Sequence, residues 1–482
     1  MNCFDYLFEN THALNKDLII GNMDSSSYQS IYKASLSLAY YLNETVGKGQ
    51  NIPLISHNSH FFVVAYLAIL KSGNVCIPLN PEIEQANLKY IIDVTNAKIG
   101  FFSEVVSKKL EAPIYIISES DLADLTAKRF SIEKSDENFD GTQTAEIIFT
   151  SGSTATPKGV MLSHNNIISN TDSIIQYLQL KESDRMLVVL PFFYCYGLSL
   201  LHTHLRVGGQ LLLNNNFIFL TSTIRNLKDY QCTGFAGVPS HFQLLLRKID
   251  LFRNSEFPSL RYVTQAGGKL HDTFIKEFIQ LFPHVQFFVM YGQTEATARL
   301  SYLPPERLRE KIGSLGKGIP GVELRVVDSK GNQVKPGKTG EIIAKGKNIM
   351  SGYFNDPEET SKVLRDGWLH TGDLAITDED GYIYHVARKK EIIKVNGQRV
   401  SPKEIEGVID MLPGVIDCSV EAVEDDLSIA VIRANIIISE DSHNLTEDDI
   451  KRFCASKLSK HKIPTIINLK RNISLSATGK KL

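Results

Sequence analysis

The chain lacks an excess of either charge. Of its 482 residues, 52 are Lys or Arg and 54 are Asp or Glu, for a net charge of −2. Nothing global therefore draws it to nucleic acid or to an anionic membrane surface. Cysteines are few and scattered: Cys3, Cys76, Cys195, Cys232, Cys418 and Cys454, with no C-x-x-C pair. That argues against a disulfide framework or a zinc site and favours a reducing, cytoplasmic compartment. No apolar run reaches the length of a membrane span. The opening "MNCFDYLFENTHALNKD" carries early acids and does not read as a signal peptide. Internal repeats and low-complexity tracts are also missing, which excludes solenoids and arrays. The length exceeds what one compact core accommodates, so two or more domains are expected.

What is present is alternation. "SIYKASLSLAYYLNE" has helical spacing and "NIPLIS" reads as a strand; "HFFVVAYLAILKSG" reads as a helix closed by Gly73, and "NVCIPL" as the next strand. The pattern resumes at the strand "AEIIFT". A loop follows, then the helix "SHNNIISNTDSIIQYLQL" with Ser163 as N-cap. This order predicts layered α/β structure with largely parallel sheets. From about residue 312, turns such as "DSKGNQ" and "KPGKTG" separate short strands, as in a small β-rich lobe. The last hundred or so residues read as a separate α+β unit. Within it, residues 451–482 hold nine Lys or Arg and no acid. That is either a solvated surface or a face for an anionic partner.

The loop between that strand and helix, "TSGSTATPKG", is rich in hydroxyls and glycine. It is not the P-loop of kinases and ATPases, because Lys158 precedes Gly159 and no Ser or Thr follows to hold magnesium. Its chemistry still suits phosphate: Gly152 and the small Ser151, Ser153 and Thr154 let backbone N–H groups and hydroxyls converge on anionic oxygens, and Lys158 adds a point charge. A flexible linker is the alternative. Four further segments bear on the choice: "MYGQTEAT", "WLHTGDLA", "ARKKEIIKVNGQRVSPKEIE" and the terminal "SATGKKL". In this order and at these separations the five resemble the adenylate-forming superfamily of acyl- and aryl-CoA synthetases, luciferase and nonribosomal peptide synthetase adenylation domains. The resemblance spans nearly the whole chain.

The resemblance implies a large N-terminal domain of layered α/β subdomains with a β-barrel-like lobe (1–388), followed by a small mobile α+β lid (389–482). It implies activation of a carboxylic acid by ATP and Mg²⁺ to an acyl-adenylate with release of pyrophosphate. Transfer to a thiol follows, with CoA as acceptor or, alternatively, the phosphopantetheine arm of a carrier protein. An inactive nucleotide-binding scaffold is the reading from another class. By the same resemblance, Thr150, Ser151, Gly152, Ser153, Thr154 and Lys158 grip the outer phosphates. Thr294 contacts the α-phosphate and Glu295 helps hold Mg²⁺. Asp373 accepts the ribose hydroxyls, backed by Arg388, while Gly267, Gly268 and Tyr291 flank the adenine. Lys480 is the catalytic lysine of adenylation, Lys390 the hinge, and Gly397 borders the thiol tunnel. Ser401 to Glu404 reads as a helix start with a capping box.

Two departures are informative. Ala155 stands where the loop usually has glycine, which alters the conformations available there. In "PFFYCYG", Tyr194 stands where amino-acid-activating relatives carry Asp and many acyl-CoA synthetases carry His. With no carboxylate to pair an ammonium, α-amino acids are disfavoured. Tyr194 and Tyr196, with Val238 and Met290, suggest an apolar acyl or aryl pocket; ordinary core packing is the alternative for each.

Overall fold

In the computed structural model the described residues are 1–21, 25–127, 138–150, 157–247, 250–389, 393–395, 398–424, 430–439 and 445–471. Ser151, Gly152, Ser153, Thr154, Lys390, Gly397 and Lys480 lie outside them.

Two large sheets carry the N-terminal part. One runs, in spatial order among the described residues, through Gly352–Tyr353, Lys158–Ser163, Thr144–Thr150, Val75–Leu79, Asn51–Ile55, Ile99–Phe102 and Tyr115–Ile117. The other runs through Lys317–Gly318, Ser301–Leu303, Gln286–Tyr291, Tyr262–Gln265, Gly234–Gly237, Arg185–Val188, Gln210–Leu213, Asp17–Ile20 and Ser26–Ser27. Most central pairings are parallel. Val75–Leu79 and Gly234–Gly237 are buried at every position, as strands covered on both faces must be. The helix His60–Lys71 is buried from Phe61 through Leu70, because it packs against the helix Tyr28–Thr45 on one side and the strands Asn51–Ile55 and Val75–Leu79 on the other. Ser59 caps it by accepting from Phe62 N, and Gly73 follows it at φ +73°.

One expectation needs correction. The hydroxyl-rich loop does not run from strand to helix. A strand, Lys158–Ser163, intervenes, and Thr150 pairs antiparallel with Lys158. The loop therefore closes a hairpin. The helix His164–Leu178 begins only afterwards, with Ser163 and Asn166 forming a reciprocal capping box.

The β-rich lobe is the antiparallel set Val322–Val327, Gly340–Gly346, Trp368–Thr377, Leu364–Arg365 and Ile383–Arg388. Farther on, the strands Val415–Glu424, Ala430–Ile438 and Ile466–Lys470 form a sheet with the helices Pro402–Ile409 and Glu447–Lys457 nearby. A hydrophobic cluster there includes Val400, Ile405, Cys418, Ile436, Ile450 and Ile467, while Ile416 joins the large core instead. The capping box expected at Ser401 is not formed. Pro402 takes the first helical position, Ser401 Oγ is buried with no hydrogen-bond partner among the described residues, and the Glu404 carboxylate reaches Lys462 Nζ at 2.6 and 2.7 Å.

Glu146 is buried in the strand that leads to the hairpin, and is 1% exposed. The Tyr66 hydroxyl lies 2.6 Å from both Glu146 Oε1 and His202 Nε2. One hydroxyl proton serves only one of them. Burial pushes the Glu146 carboxyl up to about 7 and the His202 imidazole down to about 3, so both groups are neutral at mildly acidic pH. A protonated Glu146 then donates to Tyr66, and Tyr66 donates to His202, which satisfies the chain. Because the folded protein keeps a proton that the unfolded chain releases above its lower carboxyl pKa, the contribution of Glu146 to stability falls as pH rises toward 7, whereas that of the neutral His202 rises. Glu146→Gln should therefore gain on the native chain between pH 5 and pH 8, by on the order of 2 kcal/mol. Denaturant midpoints at the two pH values measure this, and an offset independent of pH would refute the neutral buried acid.

Candidate active site

The strand Gln286–Tyr291 ends against Gly292, and a Cβ there would fall 2.0 Å from the Ala298 carbonyl oxygen, so only glycine fits this turn. Residues Thr294–Ala296 then form a short 3₁₀ turn. Asn348 fastens it, donating from Nδ2 to the carbonyls of Ala296 (3.2 Å) and Arg299 (2.8 Å) and accepting at its own carbonyl from the Thr297 hydroxyl (2.7 Å). Leu300 N donates to Tyr291 O at 2.8 Å and closes the loop back on the strand. Thr294 is thereby held with its hydroxyl 3.7 Å from Cys195 Sγ, and Glu295 with its Oε1 accepting from the Tyr353 hydroxyl at 2.8 Å.

Asp373 comes from the β-rich lobe, on Trp368–Thr377, and is 7% exposed. Its Oδ2 accepts from the Tyr291 hydroxyl at 2.7 Å; His385 Nε2 and Arg388 Nε stand 3.7 and 3.6 Å from Oδ1. Arg388 lies directly across the antiparallel pair from Asp373. Burial opposes the charge on Asp373, but His385, Arg388 and Tyr291 outweigh it and hold the carboxyl below its ordinary pKa. An ionised, bidentate acceptor is thus fixed at the lobe boundary.

Lys158 opens the strand after the hairpin loop and pairs with Glu359, its Nζ 5.6 Å above the Tyr353 ring. Lys158 in turn is the first cause of Glu359's low pKa, about 2, with Lys362 adding to it. Tyr353, which carries no recognisable sequence signal, thus touches both Lys158 and Glu295 and sets the loop base beside the 3₁₀ turn. Thr150 sits across from Lys158 in register.

The glycine turn follows the strand Tyr262–Gln265. Gly267 has φ +81°, and a Cβ on it would meet Val238 Cγ1 at 3.0 Å and the Tyr194 hydroxyl at 3.5 Å. Gly268 is held by its carbonyl, which accepts from Gln265 Nε2 at 2.8 Å. Gly267, Val238 and Tyr194 therefore converge. Met290 adjoins a different group: its sulfur accepts from the Tyr177 hydroxyl at 3.0 Å and Arg299 Nε at 3.3 Å. Tyr196 is fully buried, with its hydroxyl on Thr264 O and Oγ1 at 2.9 and 2.7 Å. The guanidinium of Arg299 lies 3.9 Å from the centroid of the Tyr196 ring. Two of the residues expected to line an apolar pocket, Tyr196 and Met290, thus pack against a cation. Sequence reasoning passed over Arg299, although it is the only charged residue between Glu295 and Glu306.

Among the described residues no cluster of three or more His, Cys, Asp or Glu could enclose a metal. Mg²⁺ commonly binds through one or two carboxylates, substrate phosphates and water, and Glu295 beside the loop base fits that donor set.

Residues 8–354 match the family described as AMP-binding enzyme. The chain is 29% identical to 4-coumarate–CoA ligase-like 6 of Arabidopsis thaliana, across 97% of this chain and 86% of that protein. It is 30% identical to 2-succinylbenzoate–CoA ligase of Bacillus pumilus, across 90% of this chain and 86% of that one. Among solved structures, an anthranilate CoA ligase with bound anthranoyl-AMP superposes with a TM-score of 0.90 at 22% identity, covering 100% of this chain and 95% of that one. The o-succinylbenzoate CoA synthetase of Bacillus subtilis, with ATP and a magnesium ion, gives 0.86 at 24% identity, covering 99% and 98%. These last two likenesses show a shared fold. The match across most of the sequence decides the family: the chain belongs to the AMP-binding enzyme family.

Proposed function

We propose that the protein is an AMP-forming acid–thiol ligase. It joins a carboxylic acid to ATP as an acyl-adenylate, releases pyrophosphate, and passes the acyl group to the thiol of CoA. The observation that carries this reading is the Tyr291–Asp373 contact. It sets an ionised carboxylate suited to two ribose hydroxyls beside Thr294 and Glu295, where the α-phosphate and its metal would lie. CoA is favoured over a carrier protein because the relatives above are CoA ligases.

The first step brings two anions together, so the protein's task is charge neutralisation and alignment. Tyr291 and the Gly267–Gly268 turn would flank the adenine, and Arg388 would support Asp373 at the ribose. Lys158 and Thr150, with Ser151 to Thr154, would take the outer phosphates, Lys158 exchanging Glu359 for a more highly charged partner. Mg²⁺ held by Glu295 would neutralise phosphate charge. Lys480 would bridge the carboxylate and α-phosphate during adenylation. The segment 389–482 would then turn about Lys390, withdraw Lys480 and bring Gly397 to the thiol channel. Tyr194 would face the acid near Gly267 and Val238. All six cysteines are buried and unbridged, which suits the cytoplasm. No helix among the described residues is long and apolar enough to cross a membrane.

With ATP, Mg²⁺, a carboxylic acid panel and CoA, turnover should yield AMP, pyrophosphate and a thioester. Chromatography of the nucleotides decides it: ADP with orthophosphate would overturn the reading. Lys158→Ala should raise the KM for ATP about tenfold or more, the scale of a lost charge-assisted contact, while the Kd for AMP stays within about twofold. Equal weakening of both nucleotides would remove Lys158 from the outer phosphates. Single-turnover kinetics separates the two lid roles. Lys480→Ala should slow adenylate formation by roughly 10²-fold yet still convert presynthesised acyl-adenylate, and Gly397→Leu should do the reverse. Equal slowing of one half-reaction by both would exclude a lid with two positions.

A further inference from the structure

Arg299 is 2% exposed. Its backbone is pinned: the carbonyl accepts from Asn348 Nδ2 at 2.8 Å and Asn170 Nδ2 at 3.3 Å, and the next residue pairs with Tyr291 O at 2.8 Å. The side chain thus starts next to the nucleotide edge and runs inward, between Met290 and Tyr196. The Tyr196 hydroxyl donates to the Thr264 carbonyl, on the strand that leads into the Gly267 turn, and Tyr194 meets that turn. The guanidinium therefore ends behind the place where the acid would enter.

What surrounds it does not balance its charge. Nε donates to the Met290 thioether at 3.3 Å and Nη1 to the Ala298 carbonyl at 3.2 Å. The first of these is a weak acceptor. The Tyr196 ring stacks on one face at 3.9 Å. The Tyr177 phenol is a further neighbour, and the arginine's charge works against the burial that pushes that phenol up to about 12. Among the described residues no Asp or Glu oxygen lies within 4.0 Å of the Arg299 nitrogens, whereas the half-buried Arg261 and Arg247 each have a carboxylate. An arginine cannot shed its proton to escape burial, as a lysine or histidine does. Cation–π stacking offsets only part of the desolvation. A buried cation of this kind calls for an anion, and a planar fork of N–H groups matches a carboxylate in bidentate fashion.

We infer that the acid activated by this chain carries a second anionic group, a carboxylate, at its distal end, and that Arg299 selects it. The inference rests on the ligase reading and narrows its substrate class from neutral apolar acids to dicarboxylic acids. The reacting carboxylate would lie toward Tyr194 and Thr294, the carbon skeleton along Tyr196, and the distal carboxylate on the guanidinium. It also adds a second reason for excluding α-amino acids, since Arg299 repels an ammonium as firmly as Tyr194 fails to pair one.

The test is carboxylate-dependent ATP–pyrophosphate exchange by the full chain with matched pairs: hexanoate and adipate, butanoate and succinate, 3-phenylpropanoate and 4-(2-carboxyethyl)benzoate. The best substrate should be a diacid exceeding its monoacid by about 100-fold or more in kcat/KM, mostly through KM. Arg299→Met should bring that ratio to about one or below, and Arg299→Lys, which keeps the charge without the fork, should fall between them. Thermal melts of both variants establish that they fold, and the wild-type panel stands without them. Monoacids activated as well as or better than diacids would overturn the inference while leaving the ligase reading intact, as would a diacid preference unchanged in Arg299→Met. Exchange with none of the acids would overturn both.

Discussion

The site depends on one buried carboxylate. Asp373 is almost wholly out of water, and an ion so placed must be paired. Its partners come from two structures: Tyr291 ends a strand of the nine-stranded sheet, while His385 and Arg388 lie on the neighbouring strand of the β-rich lobe. Satisfying Asp373 therefore brings the sheet edge and the lobe together. The 3₁₀ turn at Thr294 lies a few residues beyond Tyr291. The charge proposed to serve the ribose is also the charge that joins the two parts.

The hairpin at Lys158 is organised differently. A helix N-terminus is a common cradle for anions, but here the loop is flanked by two antiparallel strands, with Thr150 paired to Lys158. The base of that hairpin is paired again, Val160 and Met161 with Tyr353 and Gly352. This second pairing delivers Tyr353 and Glu359 to Lys158. The lysine is thereby held in an ion pair with Glu359, over the Tyr353 ring whose hydroxyl reaches Glu295; in the proposed reaction a polyphosphate would replace that ion pair.

Two buried ionisable groups, Glu146 and Arg299, show how chemistry divides structure from specificity. Glu146 resolves its burial by taking a proton and joining Tyr66 and His202 in a neutral hydrogen-bonded chain. Arg299 has no such exit. Its stacking on Tyr196 and its contact with a thioether leave a buried cation, and the proposed selection of diacids rests on that.

Much of this was legible from residues alone, where the information is local. The Ser163 cap, the buried helix Phe61–Leu70 and the alternation of strand and helix follow from contacts a few positions apart, which periodicity and capping chemistry report directly. The residues Thr294, Glu295, Asp373 and Arg388 were marked by resemblance; in the structure Tyr291 and Arg388 stand against Asp373, and Tyr353 contacts Glu295. The strand Lys158–Ser163 escaped notice because its six residues lack a clear period and sit between a loop and a helix. Ser401 looked like a capping box and is not one, because Glu404 is drawn to Lys462. What the tertiary structure decided are partnerships across the chain: Tyr291 with Asp373 at a separation of 82 residues, Lys158 with Glu359 at 201. Arg299 could be read as a lone charge in the sequence, but its burial without a carboxylate could not. Local pattern determines which element a residue joins; which distant group neutralises its charge is settled only when the sheets and lobes pack.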